Sequence, residues 1–183
     1  MDRQPVLEGD RLILRPLQPA DWDALYGVAS DPELWALHPM HDRWQEPVFR
    51  AFFDDALAQG GALAVILRGS GRETGRIIGS SRFQGYSADV GGEVEIGWTF
   101  LAREFWGGSY NAEMKRLMLD HALGQVARVL FRVGEHNLRS RGAMEKIGGK
   151  LRPGVERIDT PHGEVVHVIY EIRREGFGGG PLG

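Results

Sequence analysis

The amino-acid sequence predicts an α+β domain with a mixed central β-sheet flanked by helices, and three observations predict it. Strand-like runs follow one another from Ala62 to Phe100 with short Gly- and Ser-rich turns between them, the pattern of an antiparallel meander. A helical stretch at 111–123 then separates two further strand-like runs by enough residues to serve as the crossover of a parallel pair. The 183 residues are the size of one core, with no internal repeat and no linker, so one domain is expected over 1–175 and a mobile Gly-rich tail over 176–183.

Each element has its own signal. Arg11 to Leu17 alternates as a strand and Pro16 stops it. Trp22, Leu25, Tyr26 and Ala29 recur at helical spacing after Pro19, and Val48, Phe52, Phe53 and Leu57 do so after Pro47, with Gly60-Gly61 closing the second helix. Strands are expected at Ala62 to Arg68, Arg76 to Phe83 and Gly92 to Phe100, with a turn at Gly69-Ser70-Gly71. The helix at Asn111 to Leu123 aligns Met114, Leu117, Met118, His121 and Ala122 on one stripe. A strand at Val129 to Val133, a short helix at Leu138 to Ile147 ending at Gly148-Gly149, and a hairpin of Leu151 to Arg157 with Val165 to Ile172 complete the order.

Composition narrows the function. Hydrophobic residues make up 42% and charged residues 26%, as in globular chains and unlike disordered or membrane-spanning ones. A net charge of −3 with mixed signs gives no field for nucleic acid. The absence of cysteine removes disulfides, thiolate zinc sites and cysteine nucleophiles together. Met1 to Gly9 lacks the apolar region of a signal peptide, and no run reaches the roughly 18 apolar residues of a membrane span, so a cytoplasmic protein without membrane partners is expected.

The most informative segment joins the strand ending at Phe100 to the helix at Asn111 and contains Arg103, Trp106, Gly107, Gly108, Ser109 and Tyr110. A small-residue loop feeding a helix N-terminus leaves backbone amides unpaired at the positive end of the helix dipole, which suits a phosphate. Glycine lets the backbone approach an anion closely, and Arg103 could add a charged contact. No Gly-Lys-Ser/Thr follows and no G-x-G-x-x-G is present, so the loop is neither a Walker loop nor a dinucleotide fingerprint; a Gly-rich turn without ligand is the plain alternative.

Glu95-Ile96-Gly97-Trp98 followed by Glu104-Phe105-Trp106-Gly107-Gly108-Ser109-Tyr110-Asn111-Ala112-Glu113 resembles the strand and pyrophosphate loop of RimJ/RimL-like acetyltransferases of the GNAT superfamily. Asn137-Leu138-Arg139-Ser140 with Glu145-Lys146-Ile147-Gly148 is similar to the Asn-x-x-Ser…Glu-Lys-x-Gly block downstream in that family, and Leu12 to Leu17 with Asp21 matches its opening. The resemblance covers almost the whole chain. It departs at Ser109, where the family has glycine or alanine, and at Met144, where many members carry a tyrosine that protonates the leaving thiolate.

The resemblance implies a GNAT fold and an N-acetyltransferase that uses acetyl-CoA as co-substrate and a primary amine as acceptor, by direct attack in a ternary complex. It implies pyrophosphate on the Gly107 to Tyr110 amides, with Asn111 and Asn137 as further cofactor contacts and the thioester along the strand at Ile96, Gly97 and Trp98, whose amides hold the oxyanion. Gly97 makes room or allows a bulge. Because an alkyl amine is mostly protonated at neutral pH, a base is required; Glu95 is the first candidate, Glu93 and His136 its rivals, and a carboxylate paired with an arginine the plain reading. Ser140 is a candidate donor to the departing sulfur or a helix cap, and Asn137 is equally an N-cap.

On the acceptor side the resemblance points to the Leu34 to Trp44 connection, hence to Trp35, His38, His41 and Trp44 as substrate-lining candidates. His38 and His41 have ligand spacing, but Pro39 breaks the helix it would need, so no metal is expected. A non-catalytic acyl-CoA-binding sensor and a nucleotide-binding module are the alternatives from other classes. Many relatives dimerise, which leaves a homodimer open.

Overall fold

The chain runs through β1 (Leu7–Glu8), β2 (Leu12–Pro16), α1 (Trp22–Ala29), α2 (Pro32–Trp35), α3 (Glu46–Gln59), β3 (Ala62–Leu67), β4 (Ile77–Ser87), β5 (Glu93–Leu101), α4 (Tyr110–Leu123), β6 (Arg128–Gly134), α5 (Leu138–Lys146), β7 (Lys150–Thr160), β8 (Gly163–Arg173) and α6 (Arg174–Phe177). This computed structural model describes residues 1–69 and 73–183. Of the turn expected at Gly69-Ser70-Gly71, Ser70 and Gly71 lie outside the described residues. The expected element order is present, with β1, α2 and α6 added to it; each is four residues or fewer, too short to show a period.

All eight strands join one sheet in the order β1-β2-β3-β4-β5-β6-β8-β7. β3 to β5 form the expected antiparallel meander, β2 pairs antiparallel with β3 after the three helices between them, β5 and β6 pair parallel across the α4 crossover, and β8 returns antiparallel between β6 and β7. The sheet separates two apolar clusters. On one face α4 buries Met114, Met118, Leu119 and Ala122 against Val94, Ile96, Val129 and Phe131. On the other, α1 to α3 bury Leu25, Trp35, Phe49 and Phe53 against Leu17, Ala64 and Phe100. In the tail, Phe177 and Leu182 lie against the first cluster.

Two helices present a different stripe from the expected one. α3 buries Phe49, Phe53 and Ala56, with Val48, Phe52 and Leu57 at the edges. α4 buries the rows Met114-Met118-Ala122 and Lys115-Leu119-Leu123, while Leu117 and His121 stay partly exposed. The second row is hidden in the sequence because a lysine opens it.

Two features of β5 set up the cleft. Its parallel pairing with β6 matches Glu93 with Arg128, Val94 with Val129 and Glu95 with Leu130, and ends there although both strands continue. Immediately beyond, β5 carries one residue more than β4 between the Gly97–Arg82 and Phe100–Ser80 pairs. Trp98 sits in that bulge with φ 51°, the one non-glycine residue at positive φ among those described. A bulge bends and twists its strand, and here it carries the outer half of β5 away from β6.

Candidate active site

Where β5 and β6 part, a cavity of about 260 Å³ opens between the strands and α4 and α5. Its walls are Gly97 to Leu101 on β5 and Phe131 to Gly134 on β6, with Asn111 and Lys115 from α4, Asn137, Arg139, Ser140, Ala143 and Met144 from the α5 region, and Leu34, Trp35, His38 and Pro39 as the roof. The roof approaches closely: a Cβ on Gly134 would stand 2.7 Å from Pro39 Cγ, so only glycine admits that contact. Pockets that enclose a whole small molecule run to about 300–1,000 Å³, so this cleft suits a narrow arm entering from the surface.

Its mouth is the N-terminus of α4. Gly107 lines the cavity with φ 72°, a left-handed conformation that glycine adopts without strain. Ser109 stands in the right-handed region at φ −80°, so the serine that replaces a family glycine meets no backbone demand. The first bond of the helix runs from the Glu113 amide to the Ser109 carbonyl at 2.9 Å, and the amides of Gly107 to Ala112 find no acceptor among the described residues. Arg11 donates to the Ser109 hydroxyl and lies over the Tyr110 ring. Arg139 covers Trp106 at 3.9 Å, and the indole donates to the Leu101 carbonyl at 2.9 Å. Six open amides, a helix dipole and two arginines are the features that suit an anion. Arg103 belongs elsewhere: it pairs with Asp31 outside the cavity.

Glu95 lies one residue before the strands part. It is 8% exposed and accepts from Arg132 at 2.6 Å; Arg132 in turn donates to Glu156 of β7 at 2.6 Å. Burial lifts the Glu95 acid above its ordinary range, and Arg132 pulls against that. Arg132 lines the cavity and Glu95 stands behind it. Gly97 makes the room: a Cβ there would come within 3.1 Å of a Glu95 carboxylate oxygen. The bulge that was one expectation for Gly97 falls instead on Trp98. Glu93 is held by Arg128 at 2.7 Å, and His136 points to solvent beside Glu135, outside the cavity wall.

Five further polar residues line the cavity. His38 is half-buried, and its Nδ1 accepts from the Met40 amide at 2.9 Å; desolvation of the ring and nearby arginines lower its pKa to about 3, so the ring is neutral. His167 of β8 is lowered by burial as well, with Nδ1 unpartnered among the described residues. Asn137 caps α5 by accepting from the Ser140 amide at 3.2 Å, which settles the capping role on Asn137 and leaves the Ser140 hydroxyl on the cavity wall. Lys115 is 2% exposed and donates to the Thr99 hydroxyl at 2.7 Å.

Of the acceptor-side candidates, Trp35 and His38 line the cavity. His41 lies against His162 with the ring centroids 4.8 Å apart and tilted, and Trp44 is 39% exposed; neither reaches the cavity wall. Sequence reasoning missed Arg11, Lys115, Arg132, Arg139 and His167. Arg132 and His167 lay in plain strand alternation, inside segments read only for their apolar residues.

Residues 11–150 match the acetyltransferase (GNAT) domain family. Among solved structures, the chain is similar to an acetyltransferase from Agrobacterium tumefaciens at 26% identity and TM-score 0.68, with 92% of this chain and 94% of that one covered. An acetyltransferase of the GNAT family from Bacillus anthracis shares the fold at 22% identity and TM-score 0.74, covering 93% and 99%. RimJ from Mycobacterium smegmatis, in complex with CoA-disulfide, shares it at 18% and TM-score 0.72, covering 93% and 86%. The chain belongs to the GNAT acetyltransferase family, and its mixed sheet with flanking helices is the GNAT fold. Among the described residues no helix is long and apolar enough to cross a membrane.

Proposed function

We propose that this protein is a RimJ/RimL-like N-acetyltransferase that moves an acetyl group from acetyl-CoA to a primary amine on a small molecule or a protein N-terminus. The observation that carries the reading is the row of open amides from Gly107 to Ala112 at the mouth of a cleft between two parted strands. The fit is chemical: the amides and Arg11 would hold a pyrophosphate, and the unpaired edges of β5 and β6 would pair with the amides of a pantetheine arm. The co-substrate would supply an activated thioester.

In this reading the residues of the chain orient the reactants and move protons. Amides at Ile96 to Trp98, where the bulge turns the backbone, donate to the developing oxyanion. Glu95 takes the proton of the incoming ammonium directly or through water, aided by the burial that raises its basicity. Ser140 donates toward the departing sulfur, and Trp35 and His38 line the acceptor approach. A sensor without catalysis draws support from Met144, which cannot donate a proton, and from the Glu95–Arg132 pair. Thiol release separates the two: the enzyme releases CoA over many turnovers only when an amine from a panel of peptides, metabolites and aminoglycosides is present, and binding of acetyl-CoA with no such turnover on any amine would make it a sensor.

A further inference from the structure

We propose that Lys115 is a second acyl acceptor inside the cleft, so that the protein acetylates itself at this lysine when an acetyl thioester is bound and no amine acceptor is present. The inference rests on the acetyl-CoA reading above. Lys115 stands on α4 where the helix stripe calls for an apolar side chain, beside Met114 and one turn before Leu119, and its amine lines the cavity floor. On β5 it meets the Thr99 hydroxyl at 2.7 Å, which in turn exchanges a hydrogen bond with Ser81 of β4 at 2.8 Å. From β6 the Phe131 ring faces it at 5.5 Å. The other charged or titratable groups on the cavity wall are His38, Arg132, Arg139 and His167, none of them an anion that would hold the ammonium.

An amine so placed sheds its proton easily. Burial alone lowers its pKa to about 7, so near neutrality a large fraction carries a free lone pair. The residue type matters, because an arginine there would stay charged; the chain has only three lysines, Lys115, Lys146 and Lys150, and the other two are exposed. In the reaction the Nζ lone pair attacks the thioester carbonyl carbon, the C–N bond forms and the C–S bond breaks. The sulfur leaves with the electron pair, and the proton lost by nitrogen passes to the thiolate or to water. The products are an acetyl-lysine amide and the free thiol. The amide can no longer take a charge, and its acyl group occupies the cleft, so modification closes the site to a second thioester.

The test is incubation of the full chain with acetyl-CoA and no amine, with peptide mapping by mass spectrometry and parallel calorimetry for binding. The expected result is one acetyl group on Lys115, formed at a rate that does not depend on protein concentration and rises through neutral pH, absent from K115R, and accompanied by loss of acetyl-CoA binding in the modified protein. Binding with Lys115 unmodified, or acetyl groups confined to Lys146 and Lys150, overturns this inference and leaves the acetyltransferase reading intact. No binding at all sinks that reading, and the present inference with it.

Discussion

Glu95 and Lys115 are both removed from water, and burial pushes each toward its neutral form, the acid upward and the amine downward. Glu95 keeps a charged partner in Arg132, while Lys115 has only the Thr99 hydroxyl. The consequences differ. Glu95→Gln preserves the shape of the Arg132 contact and removes the base, so kcat should fall by about 10²–10⁴-fold with acetyl-CoA affinity nearly unchanged; pre-steady-state kinetics and calorimetry check the split. The acidic limb of the wild-type kcat profile should lie above the ordinary glutamate range, and it should vanish in the variant. For Lys115 the lowered pKa means that the folded state releases a proton that the unfolded chain holds between about pH 7 and the ordinary lysine range. Stability therefore rises with pH across that window, and the full penalty applies below it. Lys115→Met should stabilise the protein by about 1–4 kcal/mol at or below neutrality, with the gain fading toward about pH 10; urea unfolding across that range reads it. Neither environment was legible in the sequence, since a lysine in an amphipathic helix reads as a solvated face until β5 and β6 are seen to close over it.

At the scale of elements, the glycine loop and the bulge form the cleft, and only one of them announced itself. Gly107-Gly108 before a helix is a visible signal, and the left-handed φ of 72° at Gly107 fulfils it. Gly107→Ala should cost about 1–2 kcal/mol of stability from that conformation and weaken acetyl-CoA binding about tenfold; thermal unfolding and calorimetry measure the two effects. The bulge sits on Trp98, and a tryptophan at positive φ has no sequence signature, so the neighbouring glycine drew the expectation instead. Arg103 pairs elsewhere for a related reason. Its place in the loop suggested the phosphate, but the turn at Arg103–Phe105 directs it to Asp31, and the charge beside the loop comes from Arg11, distant in sequence. Gly134→Ala tests the roof: the Pro39 contact leaves no space for a methyl group, so the variant should lose about 1–3 kcal/mol of stability and raise KM for the amine more than for acetyl-CoA.

Across the whole molecule, the mixed sheet holds two cores apart and leaves one seam open between its parallel strands. The meander and the crossover were legible because they rest on local periodicity and connection length. The parting of β5 from β6 has no such local signal, since it depends on where a ladder stops. The hairpin of β7 and β8 on the far side of β6 brings Glu156 and His167 to the seam, a long-range placement that no local pattern encodes. In the proposed function the seam takes a CoA thioester with its pyrophosphate on the α4 amides. Isothermal calorimetry with acetyl-CoA tests it most directly. The prediction is one site per chain with a micromolar Kd, weakened by Gly107→Ala; a flat titration at high ligand concentration would contradict it.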